Sequence, residues 1–121
     1  MREIKFRFYD EQLKKFHYWG FIGNSFVGLT NNNYNPKSLM EQEEQSQQFT
    51  GLVDKLGKEI YEGDFIGEKD FYQKIIFKNA AFRIESDNTP LQEWLWKRER
   101  KTEQDEVIGN IYEDGSLLDN K

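Results

Sequence analysis

The stretch QFTGLVDKLGKEIYEGD, residues 48–64, decides the fold class of this chain. QFTGLV and KEIY have the composition of short strands, and DKLG between them, residues 54–57, has that of a tight turn. Gly57 can adopt the positive φ that a hairpin turn requires. A second turn signal, EGD at residues 62–64, leads into the apolar pair that begins at Phe65. The stretch therefore predicts a β-hairpin followed by a further short strand.

A second hairpin is predicted near the N-terminal end of the sequence. Ile4, Phe6 and Phe8 alternate with charged residues, as in a strand that is buried on one face. An aromatic run over residues 16–21 follows the polar segment around residues 10–12. We therefore expect a β-hairpin that turns around residues 10–12.

The C-terminal half adds short strands and one helix. Residues 72–78 and 81–85 flank a turn signal and predict another hairpin. Thr89 followed by proline is a helix-start signal, which predicts a helix over about residues 90–100. Residues 106–113, EVIGNIYE, return to strand composition. The fold class is therefore mainly β, a small antiparallel barrel with additional strands and one or two short helices.

One segment interrupts the pattern of strands. Residues 41–48, EQEEQSQQ, contain no apolar side chain. Two interpretations are open, a solvated short helix that begins with Ser38 and Glu41 as a capping box, or a mobile linker, and mobility is favoured. We expect a single domain over residues 1–121 with a variable or mobile segment at about 31–48.

The composition excludes several kinds of site. The chain has no cysteine and one histidine, His17, so a single copy can build neither a thiolate site nor a multi-histidine metal site. We expect neither a metal nor a cofactor. The first residues carry charges instead of an apolar run, and no stretch approaches the roughly 18 apolar residues of a membrane helix. A cytoplasmic protein without a membrane partner is expected.

Three segments together resemble the YopX family of small proteins from bacteriophages and prophages. They are MREIKFR at residues 1–7, QFTGLVDKLGKEIYEGD at 48–64 and EVIGNIYE at 106–113. The resemblance spans both ends and the centre of the chain in the right order. It implies a β-rich fold with an SH3-like barrel, a phage or prophage origin and residence in the cytoplasm of a host bacterial cell. It implies no biochemical activity and no catalytic residues.

The central segment is a hallmark of that family, with Gly51, Asp54, Gly57, Glu59, Tyr61, Glu62, Gly63 and Asp64. Three of its carboxylates, Glu59, Glu62 and Asp64, are candidates for an acid–base pair or a divalent metal site. Such a site requires carboxylates that converge in a partly desolvated pocket, whereas nearby lysines neutralise an exposed patch. Turn geometry explains the glycines, so a structural role is favoured and a metal-dependent hydrolase is the third hypothesis.

A candidate interaction surface lies in the N-terminal hairpin and comprises Lys5, Arg7, Lys14, Lys15, His17 and Trp19. Basic side chains interleaved with aromatic rings are typical of proteins that bind single-stranded nucleic acid. The whole chain has 17 basic and 22 acidic residues, and its net charge of −5 repels phosphate. Nucleic-acid binding is therefore disfavoured but kept as the alternative.

No catalytic constellation stands out in the sequence, so we expect no enzyme activity. The first hypothesis is a phage- or prophage-encoded, non-enzymatic protein-binding or regulatory module whose partner is a host or phage protein. The alternative is a nucleic-acid-associated regulator that uses the basic aromatic hairpin. Edge strands of a small open barrel pair readily with another copy, which also predicts a homo-oligomer.

Overall fold

The computed structural model describes residues 4–29, 38–68, 71–86, 88–98 and 106–113. Its strands are β1 (Lys5–Asp10), β2 (Lys15–Ile22), β3 (Ser25–Val27), β4 (Gln47–Val53), β5 (Glu59–Tyr61), β6 (Asp64–Glu68), β7 (Phe71–Lys78), β8 (Ala81–Ile84) and β9 (Val107–Asn110), and its helices are α1 (Leu39–Glu44) and α2 (Leu91–Arg98). The described residues form two antiparallel sheets and two short helices, so the mainly β class is confirmed. The chain divides into two compact units, Met1–Gly51 and Leu52–Lys121. Neither described helix is long and apolar enough to cross a membrane.

The first unit is built on the predicted N-terminal hairpin. Its strand order is β3-β2-β1-β4, and each neighbouring pair is antiparallel. β1 and β2 pair without interruption from Lys5 to Asp10, which confirms the hairpin. β3 follows after the two-residue turn 23–24, in which Gly23 has a φ of 66°. In this order β1 is an internal strand, with β2 on one side and β4 on the other.

Helix α1 occupies part of the polar segment of the first unit. The Glu41 N–H donates to Ser38 Oγ at 3.2 Å, and the Ser38 N–H donates to the Glu41 carboxylate at 3.5 Å, so the capping box is formed. Of the two interpretations of this segment, the helix is the one present at Leu39–Glu44. Residues 31–37 of the predicted mobile segment lie outside the described residues.

The second unit contains the predicted central hairpin and a four-stranded sheet. The end of β4 turns into β5 through Gly57, whose φ is 84°. The sheet has the order β8-β7-β6-β9 with antiparallel neighbours. Its β7–β8 hairpin turns at Asn79 and Ala80 as predicted, both with positive φ. Helix α2 is also confirmed, although its predicted end near residue 100 lies outside the described residues.

The core of the second unit consists of buried aliphatic side chains from β5, β6, β7, β8, α2 and β9. They are Ile60, Ile66, Ile75, Ile84, Leu91 and Val107. Trp94 and Leu95 of α2 pack against this cluster. Full burial of an aliphatic side chain contributes about 1.5–3 kcal/mol, so this cluster stabilises the unit together with the buried Phe65 and Tyr61.

Two expectations from the sequence need correction. The last predicted strand, residues 106–113, ends at Asn110 because its side-chain carbonyl accepts the N–H groups of Tyr112 and Glu113 at 3.0 and 2.8 Å, which bends the chain into a turn. Neither sheet closes on itself among the described strands. The described residues thus form open antiparallel sheets and no closed barrel.

Candidate interaction surface

The basic residues of the N-terminal hairpin do not share one exposed surface. Lys5 and Arg7 are buried, with 8% and 6% of their surface exposed, whereas Lys14 and Lys15 are exposed. The Lys5 ammonium lies 4.9 Å from the ring centre of Phe49. This division corrects two expectations, that β1 is buried on one face only and that Lys5 and Arg7 belong to an exposed interaction surface.

The surroundings of Arg7 explain how a guanidinium is accommodated in the first unit. Its guanidinium carbon lies 4.3 Å from the ring centre of Phe16, and its Nε donates to Gln47 Oε1 at 2.8 Å. A cation over an aromatic face is attracted by the ring quadrupole, and the aliphatic stem packs against the neighbouring rings. Lys5 and Arg7 therefore stabilise the sheet and are not presented to a ligand.

His17 is held by a buried carboxylate. Asp10 Oδ1 accepts the N–H groups of Gln12 and Leu13 at 3.0 and 3.1 Å, and Asp10 Oδ2 lies 2.9 Å from His17 Nε2. Burial by itself raises the pKa of Asp10, but the hydrogen bonds from His17 and from the two N–H groups outweigh it and hold the pKa below 3.8. Asp10 thus closes the β1–β2 turn and orients the ring of His17, which is 28% exposed.

The lowered pKa of Asp10 gives a pH dependence of stability. The folded-state pKa lies below the unfolded value of 3.8, so the stabilisation is fully present above that value and is lost as the pH falls through the folded pKa. We expect Asp10→Asn to lower the free energy of unfolding by about 1–3 kcal/mol at pH 6, and the difference from the natural chain to shrink as the pH falls below 3.8. Urea unfolding at a series of pH values measures this difference. A constant difference across that range would show that the charge of Asp10 contributes nothing.

One face of the first unit presents apolar side chains to solvent. Directly opposite residues of an antiparallel pair share a face, and Phe6 lies opposite Trp19 while Phe21 lies opposite Phe26. Residues two apart on a strand also share a face, which adds Ile4. We call these five residues, Ile4, Phe6, Trp19, Phe21 and Phe26, the aromatic face.

The rings of the aromatic face are ordered by contacts with each other. Trp19 stacks on Phe6 with ring centres 4.5 Å apart, and its Nε1 donates to Ser46 Oγ at 2.8 Å. Phe21 and Phe26 meet edge to face at 5.5 Å. Phe21 and Phe26 nevertheless remain 56% and 61% exposed, and Ile4 is 51% exposed. Clustered exposed rings of this kind are typical of surfaces that bind a partner.

The hallmark segment contains a carboxylate, Asp54, that accepts hydrogen bonds from three backbone N–H groups. Asp54 is buried, and its Oδ1 accepts the N–H groups of Leu56 and Lys58 at 2.9 and 2.8 Å. Its Oδ2 accepts the N–H of Val107 at 2.9 Å. Asp54 therefore closes the β4–β5 turn and connects it to β9, which is a structural task.

Asp64 has a similar role at the next turn. It is buried, and its Oδ2 accepts the Tyr61 N–H at 2.7 Å. The Tyr61 hydroxyl donates to Glu59 Oε1 at 3.3 Å. Gly63, with a φ of 87°, donates its N–H to the Ile75 carbonyl at 2.8 Å. These contacts support the structural role that was favoured for the segment.

Comparison with models of known protein families gives one match. A family model described as YopX protein matches residues 5–119. The chain belongs to the YopX family. The match covers nearly the whole chain, so the resemblance seen in three short segments is confirmed. No curated protein matches the chain.

The YopX match includes both the hallmark segment and most of the aromatic face. Asp54 and Asp64 lie within it, as do Phe21 and Phe26, whereas Ile4 precedes it. Among the described residues, no group of three or more histidine or acidic side chains is placed to hold a metal ion. The exposed rings of the aromatic face offer apolar contact and ring stacking.

Sequence analysis identified Trp19 and His17 but missed Phe21 and Phe26. Two signals in the sequence point to them. The two-residue turn after Ile22 places Phe21 opposite Phe26, and residues 19–29 contain no charged side chain in a chain that is 32% charged. An uncharged hairpin with paired aromatic residues is the pattern that indicates this surface.

Proposed function

We propose that this chain is a non-enzymatic protein-binding module that contacts its partner through the aromatic face. The observation that carries this proposal is the Phe21–Phe26 pair, two rings that touch each other and are both more than half exposed. Burial of an exposed aromatic ring against a partner gains free energy without the cost of removing a charge from water. Aromatic residues are also enriched among the residues that dominate binding energy in protein interfaces.

A protein partner fits this surface better than a nucleic acid does. Nonspecific affinity for nucleic acid comes chiefly from contacts between basic side chains and phosphate. Lys5 and Arg7 are buried against aromatic rings and cannot make such contacts, and the net charge of the chain is −5. Lys14 and Lys15 are the remaining basic members of the predicted surface, and they lie at the β1–β2 turn, away from Phe21 and Phe26.

The absence of enzyme activity is part of the same proposal. The hydrolase hypothesis needs Glu59, Glu62 and Asp64 to act together on a bound cation. Asp64 directs a carboxylate oxygen to the Tyr61 N–H, and Glu59 accepts from the Tyr61 hydroxyl, so these oxygens already have partners within the chain. Such engagement supports a structural role for the segment.

The setting of this function is proposed from the family. We place the chain in a bacteriophage or prophage, acting in the cytoplasm of the host bacterium on a host or phage protein. The SH3-like barrel implied by the family resemblance stays part of this proposal, and the described strands form open sheets.

Affinity capture tests the proposal. The tagged chain is incubated with lysate of the host bacterium, with and without nuclease, and the retained proteins are identified by mass spectrometry. We expect one discrete protein to be retained in a fixed ratio under both conditions. Loss of all retained material after nuclease treatment would support the nucleic-acid alternative and contradict the proposal.

A titration with labelled single- and double-stranded DNA and RNA at low salt provides the matching control. We expect no binding, because buried basic residues and a net negative charge leave little phosphate affinity. Binding that weakens steeply with salt, and that is lost when Lys14 and Lys15 are both replaced by alanine, would favour the nucleic-acid alternative.

A further inference from the structure

We propose that β3 pairs antiparallel with β3 of a second copy of this chain, about a twofold axis that passes next to Phe26. This inference concerns the edge of the sheet of the first unit, whereas the proposed function concerns its face. The two share Phe26 but are distinguishable, because edge pairing uses its outward backbone groups whereas the proposed function uses its ring.

The hairpin geometry shows which backbone groups the edge presents. In a hairpin with a two-residue turn, the residues that flank the turn, here Ile22 and Ser25, form the closing hydrogen-bonded pair. The next pair, Phe21 and Phe26, is then non-hydrogen-bonded. The N–H and C=O of Phe26 consequently point away from β2, toward the outside of the sheet. They form a matched donor and acceptor on a single residue.

The other edge strands of the described chain are covered by contacts within the chain. On β8, the Ile84 N–H donates to the Thr89 carbonyl at 2.9 Å. On β9, the Val107 N–H donates to Asp54 Oδ2 at 2.9 Å. β5 follows β4 at the other end of the strand order that begins with β3, and there the Tyr61 N–H donates to Asp64 Oδ2 at 2.7 Å. On each of these three strands, an outward donor that pairing with another chain would use is therefore occupied.

β3 has no such cover within the part of the chain that the structure describes. β3 pairs with β2, Phe26 contacts the ring of Phe21, and all three of its residues are exposed. It also carries neither lysine nor proline, the residues that commonly block edge pairing. This combination distinguishes β3 from β5, β8 and β9.

A second copy is the occupant that the charge pattern favours. Two chains of net charge −5 repel each other except where the contacting surface carries no charge. Residues 19–29 have no charged side chain, so a twofold pairing of β3 brings no like charges together. Under the twofold, Phe26 faces Phe26 of the second copy, and the outward N–H and C=O of each residue are exchanged as two hydrogen bonds.

Sedimentation equilibrium of the full chain over a range of concentrations is the first test. Because the contact is small, we expect a reversible equilibrium that reaches twice the 14.6 kDa chain mass at high concentration. Phe26→Lys and Phe26→Glu should each give only the single-chain mass, since the twofold brings two like charges together. An equimolar mixture of the two variants should recover the double mass.

Crosslinking tests the register without disturbing the charge. The natural chain has no cysteine, so Phe26→Cys introduces one thiol. Under mild oxidation we expect a covalent dimer, since a hydrogen-bonded antiparallel pair brings its Cα atoms to about 5.5 Å, within disulfide range. Phe77→Cys is the matched control, because Phe77 is 51% exposed and meets Phe82 edge to face at 5.1 Å. The control should remain a single chain.

The outcomes separate this inference from the proposed function. A natural chain that sediments at the single-chain mass at every concentration overturns the β3 pairing, as does equal crosslinking of Phe26→Cys and Phe77→Cys. If an added extended peptide pairs with β3 while the chain itself stays single, the edge binds a different partner. That result also overturns pairing with a second copy. A single-chain protein that still captures its partner leaves the proposed function in place.

Discussion

Replacement of Asp54 by alanine is expected to lower the free energy of unfolding by about 3–5 kcal/mol, because it removes the acceptor of three backbone N–H groups at once. Leu56 and Lys58 lose their partner within the turn, and Val107 loses its partner on the edge of β9. A domain of this size is stable by about 5–15 kcal/mol, so the change removes a large part of its stability.

Urea unfolding followed by tryptophan fluorescence and circular dichroism measures the effect of Asp54→Ala. Glu85→Ala is the control, because the Glu85 carboxylate is 56% exposed and lies 3.6 Å from the Lys74 ammonium. Exposed ion pairs contribute about 0–1 kcal/mol, so this control should unfold close to the natural chain. Equal midpoints for the two variants would contradict the structural role of Asp54.

Replacement of Gly20 by alanine is expected to destabilise the first unit by about 2–4 kcal/mol. Gly20 has a φ of 113°, a conformation that side chains rarely adopt. A Cβ built on it lies 2.5 Å from the Ile4 carbonyl oxygen and 2.8 Å from the Lys5 Cα. These are backbone atoms of the neighbouring strand, so β1 and β2 must separate to make room.

Gly23→Ala separates the contribution of the backbone conformation from that of the contact. Gly23 also has a positive φ, 66°, but a Cβ added there meets nothing within 4 Å among the described residues. We expect this variant to lose about 1–2 kcal/mol, less than Gly20→Ala, in the same unfolding measurement. A loss as large as that of Gly20→Ala would show that the close approach of β1 contributes little.

The hairpins of this fold could be predicted from the sequence because their signals are local. Turn residues such as Gly57 and the pair Asn79–Ala80 lie between runs of strand-forming residues, and each such signal corresponds to an observed turn. The capping box of α1 is equally local, yet the polar composition of the segment outweighed it in the prediction. The Ser38–Glu41 capping box forms although residues 41–48 contain no apolar side chain.

The features that need contacts between distant residues could not be predicted in this way. The burial of Arg7 depends on Gln47, 40 positions away, and the role of Asp54 depends on Val107, 53 positions away. The sequence of a single strand shows which residues alternate between its two faces. It does not show whether other parts of the chain pack against both faces. The sequence therefore placed Lys5 and Arg7 on a candidate interaction surface, whereas in the structure both are packed against aromatic rings.

The aromatic face was missed for a different reason. Attention to charged and titratable residues selected Lys5, Arg7 and His17, whereas the exposed pair Phe21–Phe26 resembles a core pair in sequence. Only the exposed fractions in the folded structure show that these rings are open to solvent, on the internal strand β2 as well as on β3.

The measurement that tests the central claim most directly is capture of the protein partner by Phe21→Ser beside the natural chain and Phe77→Ser. Phe21 and Phe77 are 56% and 51% exposed, and each meets another phenylalanine edge to face. We expect Phe21→Ser to reduce the retained partner by about tenfold or more, as loss of a dominant interface residue does. Phe77→Ser should retain the partner fully. Equal retention by all three chains would contradict the assignment of the aromatic face as the binding surface.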